Sequence, residues 1–497
     1  MKREHVVIPC AGMVFFFMAL SFVFIVPGQV GSEAGPDLRN GIMGYSGNRI
    51  EASAKAATIS GGGQYGFPNR VMSDAGSIGG GAGNEAGSAA TVSGGIGNTA
   101  SGIRSTIGGG QQNRATRDSS VIGGGFGNLA EGSHATVGGG MTNAASEVNA
   151  TVGGGSGNTA SERHTTVSGG SINKASGFAS SIGGGTYNKA GGTYSAVGGG
   201  ISNTASGMES TVCGGAGNVA SGEGAGISGG MSNRAAGSYC TIAGGRANAA
   251  GREVHDSKGL PYATVGGGME NVASGSFSAV PGGSQNLAAG DYSVAAGHRA
   301  KVDASHEGVF LFADHHEKDF SSAAPNEFAV RSSGGVRFVT GTDTGGQPTA
   351  GVRIPPGGGA WETLSDRFSK TALSAVNGQE ILEQLEMLPI QIWSYRAEHP
   401  QVRHIGPTGQ DFHEIFQLGK DDRFISTVDA DGIALAAVQG LLHKVKEKEA
   451  VIRDQREQIT KMKENMSAQM RRMAALEERL SQVENAIEKG SLSRARD

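Results

Sequence analysis

The sequence is poor in aromatic residues and cysteine and carries little net charge. Only 6% of its 497 residues are aromatic, and its formal net charge is −4. No basic stripe interleaves with aromatic residues, which argues against a nucleic-acid surface. The three cysteines, Cys10, Cys213 and Cys240, supply neither a disulfide framework nor the spacing of a metal site. These shortages point away from a compact enzyme, a nucleic-acid-binding protein and a disulfide-stabilised scaffold.

What the sequence has instead is glycine, 86 residues of it, in an array of near-identical units. A Val or Ile recurs at an almost constant spacing of 15 residues, with an Asn six positions later and an Ala two positions after that Asn. Regularity of this kind indicates a repeat architecture. The recurring branched residues are Ile78, Val92, Ile107, Ile122, Val137, Val152, Val167, Ile182, Val197, Val212, Ile227, Ile242, Val265, Val280 and Val294.

Each unit predicts one coil of a parallel β-solenoid or β-roll. Thr-Val and Ser-Ile pairs favour strands, with the branched residue inward and the hydroxyl outward. Glycine runs and Asn suit turns, and we expect the Asn column to stack as a ladder. Burying one Val or Ile gains roughly 1.5–3 kcal/mol, whereas ordering the backbone of one unit costs on the order of 15–30 kcal/mol. A single coil is therefore unstable, and so slender a core suggests side-by-side association as well as stacking.

The glycine-rich unit resembles the parallel β-roll repeats in the heads of trimeric autotransporter adhesins, although its longer spacing and its glycine triplets depart from that pattern. The resemblance covers residues 59–300 and implies an extended trimeric rod. Acidic residues in this array are scattered over different registers, so no column supplies the facing carboxylate pair that glycan hydrolysis uses. We interpret the rod as a spacer or an adhesive surface.

A secretory signal is predicted for residues 1–34. Lys2 and Arg3 precede an apolar run from Met13 to Val26, and small residues that suit cleavage follow. An uncleaved N-terminal membrane anchor is the alternative, because the run approaches the ~20 residues that span a bilayer. Either interpretation implies export, to the cell surface or the extracellular medium. Residues 35–58 are interpreted as a polar linker.

Residues 301–360 predict a β-rich connector after the array, because short strand-like runs of Val, Phe and Leu return there. His315 and His316 lie within it. Since no third ligand is visible in the sequence, we interpret the pair as exposed loop histidines. We expect no metal and no cofactor.

A different pattern begins at Trp361. In order, the chain then contains Ser365-Asp366-Arg367 with Lys370 after it, Leu388-Pro389-Ile390-Gln391-Ile392-Trp393, His404-Ile405-Gly406-Pro407 with Gln410-Asp411, and Val428-Asp429-Ala430-Asp431-Gly432. This series resembles the C-terminal intramolecular chaperone domain of phage tailspikes and endosialidases, and related segments occur in bacterial surface fibres. The resemblance covers about residues 361–450. Phe368-Ser369 and Gly409 depart from the usual pattern.

The resemblance implies a self-cleavage reaction. In that family a Ser is the nucleophile and a Lys five residues later is its base, and the domain cuts its own chain once the trimer has formed. These roles fall on Ser365 and Lys370, with scission at Leu364–Ser365. The supporting residues would be Asp366, His404 and Gln410. A lysine can act as such a base only where desolvation lowers its pKa. The structural alternative is that Ser365 or Asp366 caps a helix and Lys370 stays solvated.

A heptad pattern follows over residues 441–489, with residues 490–497 as a tail, and predicts a coiled coil. A trimer fits the resemblance, whereas the heptads alone separate dimer from trimer only weakly. The apolar column is Val445, Ile452, Ile459, Met466, Met473, Leu480 and Ile487. The mixed column is Leu441, Lys448, Gln455, Met462, Gln469, Leu476 and Val483.

The expected fold is thus mainly β: a glycine-rich solenoid stalk, then a mixed α/β chaperone domain over 361–440 that ends in a trimeric coiled coil. One function is an exported, adhesin-like homotrimeric fibre that releases its chaperone by Ser/Lys autoproteolysis. A second is a prophage tail fibre or tailspike that binds or degrades a surface glycan. A third is a structural fibre whose chaperone stays uncut. The expected partners are two further copies of the chain, with a cell-surface or glycan receptor left open and no nucleic acid.

Overall fold

The structure, a computed structural model, describes residues 40–252 and 261–493. The chain divides into two compact units, the first ending at Ser332 and the second beginning at Ser333. The predicted signal or anchor over residues 1–34 lies outside the described residues. Among the helices that are described, none combines the length and the apolar character that a membrane crossing requires.

The first unit is a parallel β-solenoid of about 19 turns over residues 41–331. Each regular turn contributes one short strand to each of two sheets, and each strand pairs in register with its counterparts in neighbouring turns. The first sheet consists of Gly41–Ile42, Thr58–Ile59, Ser77–Ile78, Thr91–Val92, Thr106–Ile107, Val121–Ile122, Thr136–Val137, Thr151–Val152, Thr166–Val167, Ser181–Ile182, Ala196–Val197, Thr211–Val212, Gly226–Ile227, Thr241–Ile242, Thr264–Val265, Ala279–Val280, Gly283–Ser284, Val294–His298, Phe310–Ala313 and Phe328–Arg331. The second sheet consists of Arg49–Ile50, Arg70–Val71, Glu85–Ala86, Thr99–Ala100, Arg114–Ala115, Leu129–Ala130, Ala144–Ala145, Thr159–Ala160, Lys174–Ala175, Lys189–Ala190, Thr204–Ala205, Val219–Ala220, Arg234–Ala235, Ala249–Ala250, Val272–Ala273, Leu287–Ala288, Ala300–Val302 and Phe320–Ser321.

The core between the two sheets is thin. In a typical turn, Val152 from the first sheet and Ala160 from the second are fully buried. Thr151 and Thr159, which precede them, are only half-buried on the outer faces. The predicted alternation of a branched residue inward and a hydroxyl outward is therefore confirmed for this turn. Since a turn buries so few apolar atoms, most of its stability has to come from contacts with the next turn.

A ladder of buried asparagines joins the turns, as the sequence predicts. The Asn158 side-chain amide donates to the carbonyl oxygens of Gly154 and Gly170, both at 2.8 Å. Its Oδ1 accepts from the backbone N–H of Asn173 at 3.0 Å, and Asn173 repeats the pattern one turn later. Buried amides are costly unless they are hydrogen-bonded. Here each amide is hydrogen-bonded to its own turn and to the next, so the ladder adds to the backbone hydrogen bonds between turns.

The solenoid begins earlier than the sequence predicts. Its first strand starts at Gly41, inside the segment interpreted as a linker over 35–58. Asn48 and Asn69 belong to the asparagine ladder, because Asn48 Oδ1 accepts from the Asn69 N–H at 3.0 Å. The first turns are longer than the regular unit, so their residues fall out of the sequence period although they stack in the same way.

The solenoid also ends later, inside the segment interpreted as a connector over 301–360. Strands Val294–His298, Phe310–Ala313 and Phe328–Arg331 pair in parallel and continue the first sheet. Phenylalanine takes the outward position that Thr holds in the regular turns, which hides the repeat from the sequence. Only residues from 333 onward belong to the second unit.

The second unit starts with small antiparallel sheets. Strands Val336–Thr342, Pro348–Ile354 and Glu362–Thr363 form a three-stranded sheet. A 3₁₀ turn, Arg367–Ser369, follows it. Farther on, Gln391–Trp393 pairs with His404–Gly406.

Three helices complete the second unit: α1 (Gly378–Met387), α2 (Gly409–Phe416) and α3 (Thr427–Ser493). Helix α1 lies close to α3 because both carry glycine at the crossing: a Cβ on Gly378 would lie 2.8 Å from the Gly440 Cα. Helix α3 begins before the heptads expected over 441–489. The helices enclose a small core of Ile381, Leu388, Phe412, Phe416, Ile433 and Ala437.

Cys213 and Cys240 are both free thiols. Cys213 is exposed on the outer face of the first sheet, whereas Cys240 is fully buried. Burial raises the pKa of the Cys240 thiol to about 11. Because the thiolate is the reactive form, burial and the raised pKa both lower the reactivity of Cys240.

Gly154 and Gly155 are adjacent, but the fold requires glycine only at position 155. Gly155 has a φ of +89°, and a Cβ there would collide with the carbonyl oxygen of Gly170 in the next turn. We expect Gly155→Ala to lower the free energy of unfolding by on the order of 1–3 kcal/mol. Gly154→Ala is the matched control, since no atom lies within 4 Å of its Cβ position. Urea unfolding of the full chain measures both, and equal losses would contradict this account of the turn.

Candidate functional site

The segment before Ser365 is held at the edge of the three-stranded sheet. Glu362 pairs with Arg353 in register, and their side chains form an ion pair of 2.8 Å between Nε and Oε2. The Leu364 N–H donates to the carbonyl oxygen of Gly351 at 3.0 Å. The peptide bond between Leu364 and Ser365 therefore follows directly on a fixed strand end.

A capped 3₁₀ turn then folds the chain back on itself. The Asp366 carboxylate accepts from the Phe368 N–H at 3.1 Å, which is the hydrogen bond of an N-cap. The turn Arg367–Ser369 is closed by a 3.2 Å hydrogen bond from the Lys370 N–H to the carbonyl oxygen of Arg367. Asp366 is thus a capping residue, as the structural alternative expected. The capped turn also determines the position of the Lys370 side chain.

Ser365 and Lys370, here called the dyad, are in direct contact. Lys370 Nζ donates to Ser365 Oγ at 2.6 Å. A lysine amine can take the proton of such a hydroxyl only when the amine is neutral. Both side chains are exposed in the single chain. The pair therefore has the contact that nucleophile activation requires, without the burial that favours a neutral amine.

A groove of about 320 Å³ adjoins the dyad. Its lining combines apolar side chains, including Phe338, Val352 and Leu364, with the charged side chains of Arg337 and Arg353. Ser365 is one of the residues that line it. The serine hydroxyl therefore lies beside a shaped depression that follows the strand preceding it.

The other expected supporting residues occupy a different part of the second unit. His404 Nε2 contacts Glu398 Oε2 at 2.8 Å, and the His404 ring packs against Trp393 with centroids 4.8 Å apart. Gln410 is exposed in the first turn of α2. Within residues 333–489, no described hydrogen bond joins either side chain to the dyad. The structure thus brings Ser365, Asp366 and Lys370 together and leaves His404 and Gln410 apart from them.

The histidine pair in the solenoid has a neighbour that the sequence reasoning missed. Ligand atoms of Asp314, His315 and His316 lie within 4.8 Å of one another. However, Asp314 Oδ1 already accepts from Arg331 Nε at 2.8 Å and contacts His316 Nδ1 at 3.1 Å. Because the arginine compensates the carboxylate, we assign no metal to this cluster.

The sequence reasoning also missed the residues that fix Leu364. Gly351 and Arg353 lie on the strand Pro348–Ile354, which we placed only within a connector. The available signal was the alternation of branched residues in Val352-Arg353-Ile354 beside a similar run after Gly335. That pattern predicts a hairpin but does not predict that a third strand would be added from Glu362 onward.

Comparison with known proteins does not identify a family for this chain. No protein-family model matches the chain, and no curated protein matches it. The assignment of the dyad therefore depends on its geometry and on the order of the surrounding motifs.

Removal of the Asp366 cap should loosen the turn that carries Lys370. An N-cap carboxylate contributes about 1 kcal/mol, so we expect Asp366→Ala to raise the initial rate of tryptic cutting after Arg367 by about fivefold, because local opening exposes the bond. Asp366→Asn is the control, since an asparagine oxygen also accepts from the Phe368 N–H. Mass spectrometry of the first fragments measures the rate. An unchanged rate in the alanine variant would show that the cap does not order the turn.

Proposed function

We propose that the chain is an exported, homotrimeric fibre whose part from Trp361 onward drives assembly and then cuts the chain beside Ser365. The single observation that carries this proposal is the 2.6 Å contact between Lys370 Nζ and Ser365 Oγ. It occurs immediately after the strand end at Leu364. The resemblance to tailspike chaperone domains supports the same two residues independently of the geometry.

The chemistry uses the chain itself as substrate. Neutral Lys370 takes the proton from Ser365 Oγ, and the oxygen attacks the carbonyl carbon of Leu364. The acyl group moves from the Ser365 nitrogen to its oxygen, and the nitrogen receives the proton that the lysine took. Water then hydrolyses the ester, which leaves a carboxylate on Leu364 and restores the serine hydroxyl. The Leu364 N–H donates to the carbonyl oxygen of Gly351, which fixes the backbone of the residue that bears the reacting carbonyl.

Helix α3 supports the assembly half of the proposal. Its apolar column, from Val445 to Ile487, is between 44% and 66% exposed at each residue. A long helix in water gains most of its stability by packing an apolar stripe. Parallel copies of the same helix cover that stripe with the same residues in register.

Assembly and cutting would be coupled through desolvation. The dyad is exposed in the single chain, and removal of water favours the neutral form of an amine. Covering the dyad by a neighbouring copy supplies that desolvation, so that the chain is cut only after the copies have met. No external substrate is required.

Ser365→Ala should abolish the cut. We expect the wild-type chain to give two fragments on a denaturing gel, and the variant to stay full length, because its rate falls by at least roughly a thousandfold without the nucleophile. Ser369→Ala is the matched control, since it makes the same substitution four residues away, in the 3₁₀ turn that follows Ser365. Intact mass then places the new terminus at Leu364.

The outcomes separate the open interpretations. Fragments from the Ser365→Ala variant would exclude the dyad as the cutting group. If the wild-type chain forms a trimer but stays whole, the protein is a structural fibre whose chaperone is not cut. Fragments in wild type and in Ser369→Ala, but not in Ser365→Ala, support the proposal.

Charge in the apolar column of α3 should prevent assembly. Ile459→Lys places like charges together where the copies meet, and we expect the mass from light scattering of the full chain to fall from three copies to one. Glu457→Lys is the control, because it introduces the same residue on the opposite face of the helix. A trimer that survives Ile459→Lys, or a wild-type dimer, would contradict the assembly proposed here.

A further inference from the structure

Two outward columns of the first sheet contain no charged residue among the described residues. They are the residue before and the residue after each buried residue of that sheet. From Gly41 to Val330, and within the described residues, neither column contains Asp, Glu, Lys, Arg or His. In the regular turns the columns are mostly Thr or Ser and Gly, as in Thr151 and Gly153. This surface, here called the uncharged face, is therefore flat as well as neutral.

The uncharged face ends in an exposed aromatic patch. In the last three turns the first column continues as Val294, Phe310 and Phe328, in register with one another. The second column adds Phe312, which lies beside Phe310 on the same face. Phe328 is 67% exposed and stacks on Phe310 with ring centroids 5.1 Å apart. Contiguous exposed apolar surface of this kind marks an interaction site.

The second sheet of the same solenoid is different. Its outward column contains Arg114, Lys174, Lys189 and Arg234, and the two lysines are direct neighbours in adjacent turns. Both sheets have the same buried core and the same strand length, so the fold does not exclude a charged side chain from the column that precedes the buried residue of the first sheet.

We propose that the uncharged face is the surface through which the solenoids of neighbouring copies pack against one another. This rests on the proposed homotrimer and names the surface that makes it. The charged second sheet would then face solvent. The aromatic patch would close the assembly at the end of the solenoid nearer the chain's C-terminus.

The length of the face identifies its occupant. It follows about 19 turns, which at roughly 4.8 Å per turn is on the order of 90 Å. A compact domain covers only a fraction of such a length, whereas a second solenoid matches it turn for turn. Parallel copies place identical residues at the same height, so a column of lysines would meet lysines. Of the two sheets, within the described residues, only the first has outward columns that avoid this repulsion along their whole length.

Cys213 is a natural probe, because it lies in the second column of the uncharged face. In the full chain, Cys10→Ser and Cys240→Ser leave it as the only thiol; serine already occupies the register of Cys240 at Ser105 and Ser120. We expect a short bismaleimide to join Cys213 of neighbouring copies. The control carries Cys213→Ser and Val219→Cys, which moves the thiol to the outward column of the second sheet in the same turn. Denaturing gels measure the joined chains, and light scattering measures the assembly.

A charge test uses two threonines in adjacent turns. Thr211 precedes Val212 on the uncharged face, and Thr204 precedes Ala205 on the second sheet. We expect Thr211→Glu to lower the cross-linking of Cys213 by roughly tenfold, because like charges meet at the interface. Thr204→Glu should leave the yield unchanged.

Three chains by light scattering, with cross-linking through Cys213 and not through the cysteine at position 219, support the inference. A trimer that cross-links only through position 219, through both positions or through neither would overturn the assignment of the uncharged face. The proposed trimer itself would not be contradicted by that result. A single chain by light scattering would overturn both. If Thr211→Glu does not reduce the cross-linking of Cys213, the uncharged face is not the interface, since its neutrality would then have no role.

Discussion

Hydrogen bonds between successive turns hold the solenoid together, because no turn encloses enough apolar surface to be stable by itself. The buried asparagines show this most directly. Asn158 contacts glycine carbonyls in its own turn and in the next, and its oxygen binds the backbone of Asn173. Stability is therefore a property of the stack, and each turn contributes nearly the same contacts. The outward residues make no such contribution, so their chemistry is free to serve other purposes.

This division explains what the sequence could predict. The Val or Ile, the Asn and the Ala recur because each meets the same neighbours in every turn, so their period predicts the coil and the ladder. The sequence period did not predict the two ends of the solenoid, because the turns there keep the same contacts but differ in length. Asn48 and Asn69 stack although their turns are long, and Phe310 replaces the threonine that marks the regular unit. Periodicity reports equal turn lengths, whereas stacking requires only equivalent contacts.

The candidate site shows a different limit. The residues of the dyad could be named from the resemblance to tailspike chaperone domains, in which a Ser and a Lys lie five residues apart. Their contact could not, because it depends on the cap that Asp366 provides and on the strand that holds Leu364 against Gly351. Those partners are set by the pairing of strands that carry no motif. His404 and Gln410, chosen by the same resemblance, lie elsewhere, since a shared order of motifs does not specify which of them meet.

The exposed features of the two units have a common physical consequence. The apolar column of α3, the aromatic patch around Phe328 and the dyad at Ser365 are all left in water by a single chain. For the first two, exposure costs free energy that association recovers. For the dyad, exposure withholds the desolvation that favours a neutral amine, which is the form that can act as a base. In the proposed assembly one event, the exclusion of water by neighbouring copies, therefore stabilises the fibre and activates the cut, so no separate signal is needed to order the two steps.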